Sequence, residues 1–508
     1  MMDALKNFSE TFPLGFISFF RIFIAYLLSA FLSILISYLA FYSKRFERIL
    51  IPAVDIMQSV PVLSFTPGVM LIFYKLGRAG FELAAIFLII TSIIWNLIFS
   101  FYASLKNIPE EFDELSKILK VEGIRKFFLL HLPFSLPQFL WNSLLSFGNA
   151  WYFLMYCEMF SIGELEIKVD GIGAFILNSM ERGEISKTFY GFLVILFIIS
   201  TSYFLIWKPL LVASFVMKFE EESEEEILTR MNFLDKFYFQ ILKRIMQAER
   251  FFSRLNQFLM SKSDKISKFF DYSSFLVLFA IAVFLIFIFR FFLRLEPSDV
   301  LLCIVSIFPT LLRVSLGIFL ASLFAIPLAI LIGTRWKPYQ ERIISVIQII
   351  SSFPVPALIP FVFPFFLQLP MGLELNALFI ISTSSVWYIF YNTLAGVNSI
   401  PKELFLVGES LRMNLKDKLR QIILKGSRKD MLVGFITAWG GAWNGTFVAE
   451  SIIFQEKEYK IFGIGSLIFQ SAREGKIELM IFSTFVMCSF IVLFNIFVWK
   501  KLLEGVKD

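Results

Sequence analysis

Two glutamates raise the first chemical question. Asn149–Glu158 reads NAWYFLMYCE and Gly441–Glu450 reads GAWNGTFVAE, so Ala-Trp precedes a carboxylate twice, 292 residues apart. An ionisable group inside such apolar sequence is costly unless it is solvated or paired, so it lines a cavity or meets a partner. Three roles are open to Glu158 and Glu450. They hold a gate by pairing with Arg or backbone N–H groups, they repel a bound anion so that it is not trapped, or they cap the short segment that follows. Gate or scaffold is preferred to direct ligand. Trp151 and Trp443, seven residues earlier, lie about two turns deeper on the same face. Arg182 and Arg473, in the loops that follow, are basic candidates for pairing, whereas Arg21 and Arg313 read as span-end anchors.

Other chemistry is sparse. Cys157, Cys303 and Cys488 have no ligand spacing and His131 is the single histidine, so no metal site, cofactor or disulfide framework is expected. No GxxxxGK[ST] phosphate loop exists, because Gly475-Lys476 has Gln470 where the first glycine is required. A membrane enzyme would need a His/Asp/Glu constellation that the chain lacks.

The elements that position these acids are membrane spans. The 508 residues are 57% hydrophobic, include 66 Phe and have a mean hydropathy of +0.75. Runs such as 14–42, 81–103, 188–216 and 274–292 suffice to cross a bilayer, which takes about 20 residues. The charge of +6 therefore reads by position rather than as a nucleic-acid footprint.

A shift of 292 places Trp95, Trp151 and Trp207 on Trp387, Trp443 and Trp499. It also aligns Pro109 with Pro401, Glu111 with Glu403, Arg21 with Arg313, and Gly171-Ile172-Gly173 with Gly463-Ile464-Gly465. With a one-residue slip, Pro61 and Pro67 meet Pro354 and Pro360. Each of these prolines breaks a helix, beside a pathway or at a lipid-facing kink; their duplication at one spacing favours the pathway.

The pattern predicts an all-α polytopic membrane protein of two parallel five-span copies. Spans are expected near 14–42, 60–76, 81–103, 133–158 and 187–213, then 300–333, 355–371, 376–397, 428–451 and 478–500. Five spans would invert the second copy; one extra span at 272–292 restores parallel copies and gives about 11 in all. The expected organisation is 1–216 first copy, 217–271 charged linker, 272–292 extra span and 293–508 second copy. Lys44, Arg45, Arg48, Lys117, Lys120, Arg125 and Lys126, with their counterparts in the second copy, mark the cytoplasmic side. The N-terminus is then outside and the C-terminus cytoplasmic. The linker is read as a tether of surface helices, with a regulatory or membrane-surface helix as the sharper alternative.

One loop recurs on that side. Ile108 opens IPEEFDELSKILKVEGIRKFFLLHLP, and Ile400 opens IPKELFLVGESLRMNLKDKLRQIILK. Proline followed by glutamate starts a helix. Phe112, Leu115 and Leu119, like Leu404, Val407 and Leu411, then share one face. Such a face docks into a partner's groove or packs back on the protein's own spans.

Here the chain resembles ABC-importer permeases of the binding-protein-dependent, nitrate/sulfonate/bicarbonate-type branch. The resemblance rests on Pro-x-Glu, Leu132-Pro133, the Ala-Trp-x6-Glu, the Gly-Ile-Gly and the paired prolines, in order and twice. It implies a duplicated, fused permease of type I importer fold. It further implies that Pro109, Glu111, Phe112, Glu114, Leu115 and Leu119, with Pro401, Glu403, Leu404, Val407 and Leu411, engage two cytoplasmic ABC ATPase subunits. A separate extracytoplasmic binding protein would deliver a small anion. Pro61, Pro67, Trp151, Glu158, Pro354, Pro360, Trp443 and Glu450 become candidate pathway or gate residues. The loops depart from the family pattern: Leu115-Ser116 and Lys120 replace Ala-Ala and Gly, and the second copy has Leu406, Val407-Gly408 and Arg412. An ion-coupled secondary transporter with parallel repeats is the alternative.

Overall fold

The computed structural model describes residues 2–162, 165–218, 231–247 and 293–505. The expected span at 272–292 and most of the 217–271 linker lie outside the described residues.

The first copy runs α1 (Met2–Tyr42), α2 (Lys44–Ser59), α3 (Val62–Phe73), α4 (Gly77–Lys106), α5 (Glu110–Ile118), α6 (Gly123–Lys126) and α7 (Leu132–Glu158). It continues through the hairpin β1 (Met159–Ile162) and β2 (Leu165–Lys168), then α8 (Ile172–Glu181), α9 (Ile185–Ser202) and α10 (Lys208–Lys218). Within the linker, α11 (Phe233–Gln247) buries Phe239 and Leu242 and leaves Phe233, Phe237 and Ile245 exposed.

The second copy repeats the order with α12 (Pro297–Gly333), α13 (Gln340–Ser351), α14 (Ile359–Phe366), α15 (Gly372–Ser399), α16 (Lys402–Ser410) and α17 (Arg428–Glu450). The hairpin β3 (Ser451–Phe454) and β4 (Lys457–Lys460) leads to α18 (Ile464–Arg473), α19 (Ile477–Phe494) and α20 (Lys500–Glu504). Even a rare local geometry follows the repeat: π-helical turns occur at Phe127–His131 and Tyr203–Trp207, and again at Lys418–Ile423 and Asn495–Trp499.

Among the described residues, six helices are long and apolar enough to cross a membrane: Phe8–Tyr42, Tyr74–Lys106, Ile185–Val216, Pro297–Gly333, Gly372–Ser399 and Ile477–Glu504. The pair Lys337–Ser351 and Val355–Phe366, bent by 77°, makes a seventh if taken as one broken span. Helices α7 and α17, of 27 and 23 residues, are long enough but carry more Ser, Asn and Gly. They pack among the other helices rather than facing lipid on all sides, so apolarity all round is not required of them.

The expected spans at 60–76 and 355–371 need correction. Helices α3 and α14 have 12 and 8 residues, too short at about 1.5 Å per residue to cross about 30 Å. Each is the second piece of a broken element that starts earlier, at Lys44 and Gln340. The breaks fall where Pro61 and Pro354 forbid helix continuation, with ψ at 121° and 115°.

The copies embrace each other reciprocally. The ring of Phe192 in α9 packs 4.5 Å from that of Phe353, tilted, and 5.8 Å from that of Phe361, edge to face, in the broken element of the second copy. Conversely, Thr484 of α19 donates to the Ser64 carbonyl of α3 at 3.1 Å. The β3–β4 turn, where Gln455 and Glu456 both take positive φ, docks on the end of α8: Glu456 N–H donates to the Glu181 carbonyl at 2.7 Å. Equivalent ends of the copies therefore meet on one side, as parallel copies require.

Candidate functional site

Glu158 and Glu450 are fully consumed inside their own copies. Ser18 of α1 donates to Glu158 Oε1 at 2.6 Å, and Arg21 Nη1 ion-pairs with the same oxygen. Glu158 Oε2 accepts the backbone N–H of Gly173 at 2.7 Å and of Ala174 at 3.2 Å, capping α8. In the second copy Thr310 replaces Ser18, donating to Glu450 Oε1 at 2.7 Å, and Arg313 Nη1 reaches it at 2.8 Å. Gly465 and Ser466 donate to Glu450 Oε2 at 2.9 and 3.2 Å. Both Glu side chains are inaccessible to solvent.

This geometry explains the Gly-Ile-Gly motif. A Cβ on Gly171 or Gly463 would fall on the Glu158 or Glu450 carboxylate, so only glycine lets the chain pass that close. The pairing partners are Arg21 and Arg313, not Arg182 and Arg473; Arg473 instead reaches Glu458 at 3.1 Å. Reading Arg21 and Arg313 as span-end anchors also fails, because both are buried. Sequence reading missed the third member of each cluster. Glu82 takes a bidentate pair from Arg21, both bonds 2.9 Å, and Glu374 takes one from Arg313 at 2.6 and 2.7 Å. The signal was there: Gly80-Phe-Glu82-Leu83 and Gly372-Leu-Glu374-Leu375 recur at the same 292-residue shift.

Trp151 and Trp443 pack in the core with essentially no exposure. A cavity of about 100 Å³ lies between the copies, and neither these tryptophans nor the paired acids line it. The first copy contributes Asn149 and Tyr152 of α7, and the second contributes Gln348, Ser351, Tyr388 and Asn444, among others. Pro61 and Pro354 act at its edge through their neighbours. Val62 N–H, just after Pro61, donates to Asn444 Oδ1 at 2.9 Å, while Phe353 and Val355, flanking Pro354, line the space. Pro67 lies within α3, and Pro360 is buried at the start of α14.

The duplicated loops adopt one geometry. Helices α5 and α16 follow Pro109 and Pro401, and each ends in a left-handed residue, Lys120 and Arg412, both at φ 51°. The closing bonds match: Val121 N–H reaches Ser116 O at 2.8 Å, and Met413 N–H reaches Gly408 O at 2.9 Å. This is the Schellman ending that glycine favours, kept although glycine is absent. Ser116 and Gly408 face inward, whereas Phe112, Leu115 and Leu119, like Leu404, Val407 and Leu411, are exposed. Glu111, Glu114 and Glu403 are exposed beside them.

The first loop has a brace that the second lacks. Asp113 pairs with Lys126 and, at 3.0 Å, with Lys117, and hydrogen bonds from these two lysines hold its carboxyl below the usual carboxylate range. Phe405 occupies the equivalent position. A depressed folded-state value means the brace holds above the unfolded carboxyl value near 4. It is lost as pH falls from there through the lower folded value. Asp113→Asn should therefore raise deuterium uptake across residues 109–126 at neutral pH and leave 401–418 unchanged. Equal uptake in both loops would remove the brace from the account.

The sequence matches the family described as the inner membrane component of binding-protein-dependent transport systems, at residues 29–207 and again at 325–499. Similar proteins include the transport permease protein SsuC of Bacillus subtilis (strain 168), whose name assigns it aliphatic sulfonates. It is 27% identical over 35% of this chain and 60% of its own length. The nitrate import permease protein NrtB of Synechococcus elongatus is 28% identical over 33% of this chain and 56% of its own length. The bicarbonate transport system permease protein CmpB of Synechocystis sp. is 27% identical over 20% and 35%. The chain thus spans no more than about three fifths of the length of these relatives. Two matched segments that together cover more than half of the sequence, each containing the same surface loop, place this chain in the binding-protein-dependent transport system inner membrane component family.

Proposed function

We propose that this multi-pass membrane protein is the permease subunit of an ATP-driven ABC importer, supplying both halves of the translocation pathway in one chain. The observation that carries the reading is the pair of α5 and α16 loops. Each presents exposed apolar residues at equivalent positions on a short helix fixed at both ends. Apolar side chains held in water on a rigid element fit a partner's groove. The sequence contains no phosphate loop of its own, so ATP hydrolysis belongs to separate subunits. Two loops call for two ATPase domains on the cytoplasmic side, with the N-terminus outside and the C-terminus cytoplasmic. An extracytoplasmic binding protein would deliver solute to the opposite face. The relatives' names make a small anion the first candidate cargo.

In this reading the Arg–Glu clusters are scaffold. They tie α1, α4, α7 and α8 of one copy, and α12, α15, α17 and α18 of the other, into units that move as bodies when the ATPases close. Co-purification of a candidate ATPase with wild type, Leu119→Asp, Leu411→Asp and the double variant tests the reading. The ATPase should be retained by wild type and lost from the double variant, and the single variants should rank the two loops. An ATPase bound by no form would favour an ion-coupled secondary transporter.

A further inference from the structure

The cavity between the copies carries information about cargo that the relatives' names do not. Its polar groups are mostly spoken for. Asn149 Nδ2 donates to the Tyr388 hydroxyl at 2.8 Å, and the Ser351 and Tyr391 hydroxyls share a 3.0 Å bond. Asn444 donates to the Gly440 carbonyl at 3.0 Å while accepting from Val62 N–H, and Asn392 donates to the Tyr388 carbonyl at 2.9 Å. The Tyr152 hydroxyl and the Gln348 amide are left over. The hydroxyl is buried without a partner, and Gln348 lines the cavity at 1% exposure with neither its amide nitrogen nor its amide oxygen hydrogen-bonded.

A buried primary amide presents two donors and an acceptor side by side, and leaving them unpaired is unfavourable. Bicarbonate carries an O–H donor, but nitrate or sulfate offers acceptors alone, so it could satisfy the nitrogen but never the oxygen. It would also arrive with a full charge at a site where none of the described lining residues is charged, and burying an unpaired charge is strongly disfavoured. The walls are instead flat and aromatic, from Tyr152, Phe353, Trp387, Tyr388 and Tyr391. Aromatic faces pack well on planar solutes.

Resting on the permease reading above, we infer that the cavity is a solute site for a small, planar, uncharged molecule with adjacent hydrogen-bond donor and acceptor, such as a carboxamide or lactam edge, and that Gln348 reads that edge. Among the described residues, Gln348 and most of the aromatic wall come from the second copy.

Isothermal calorimetry on the full chain in lipid nanodiscs tests this with benzamide, nicotinamide and uracil as neutral probes and nitrate as the anion. At least one neutral probe should bind saturably, nitrate should not, and Gln348→Leu should weaken the neutral probe about tenfold or more. The same variant should melt no lower than wild type, since it removes an unpartnered buried amide; a purely structural role would lower the melting temperature instead. ATPase co-purification with Gln348→Leu should be unchanged. Saturable nitrate binding that Gln348→Leu abolishes, or no binding by all three neutral probes, overturns the cargo class while leaving the permease reading intact. Loss of ATPase association by wild type itself would overturn the permease reading.

Discussion

Glu158→Leu is expected to cost about 3–5 kcal/mol of stability, the range for breaking a buried ion pair, read as a large fall in melting temperature and yield in detergent. The loss has two parts that a cycle of variants separates. Removing the carboxylate takes the counter-charge from Arg21, although Glu82 and the Asp170 carbonyl still hold that guanidinium. It also strips acceptors from Gly173 and Ala174 N–H at the start of α8 and from the Ser18 hydroxyl. Arg21→Met should cost a similar amount by leaving Glu158 without a counter-charge. The double variant should fall well short of the sum, because the pair is then absent from both sides. It should not return to wild type, because the two backbone donors stay unpaired. Glu450→Leu and Arg313→Met should repeat the pattern in the second copy. Wild-type stability in Glu158→Leu, with altered transport, would instead make the carboxylate a pathway group and sink the scaffold assignment.

That outcome bears on what a sequence reveals. The repeat was legible because tryptophans, prolines and Gly-Ile-Gly recur at one shift, and the α5 and α16 loops because their apolar spacing matches a helix face. The partner of each acid was not legible. Arg21 lies 137 residues from Glu158, and a charge near the end of a long apolar run looks alike whether it anchors in headgroups or turns inward. Arg182 and Arg473 sat closer in sequence and misled for that reason. The break in the second span was half legible: Pro61 and Pro354 marked the interruption, but only packing shows that the preceding α2 and α13 belong to the same element. Gln348 gave no signal, since one amide on an amphipathic helix says nothing about which side faces a cavity. Its meaning comes from being an amide left without a partner where the cavity's asparagines have found theirs.

The second large effect is expected where no chemistry was suspected. Gly372→Ala and Gly80→Ala should each destabilise the protein by about 3 kcal/mol, the upper range for forced overpacking. These glycines lie in the first turn of α15 and α4, where the short second piece of each broken span reverses into a long helix. A Cβ on Gly372 would fall on the Phe366 carbonyl oxygen, and one on Gly80 on the Phe73 carbonyl oxygen. A backbone carbonyl in a helix cannot swing aside as a flexible side chain would, so the reversal itself must open. Two residues further on stand Glu374 and Glu82, whose bidentate grip on Arg313 and Arg21 depends on where those helices begin. The substitution therefore strains the bend and misplaces the buried cluster together. Gly68→Ala is the control, because a Cβ there meets nothing within 4 Å and alanine favours the helix by about 0.5–1 kcal/mol. Thermal unfolding of the three variants in detergent should show two large losses and an unchanged or raised value for Gly68→Ala. Equal, small shifts in all three would mean that the bends yield easily, and that the clusters owe their placement to the long helices alone.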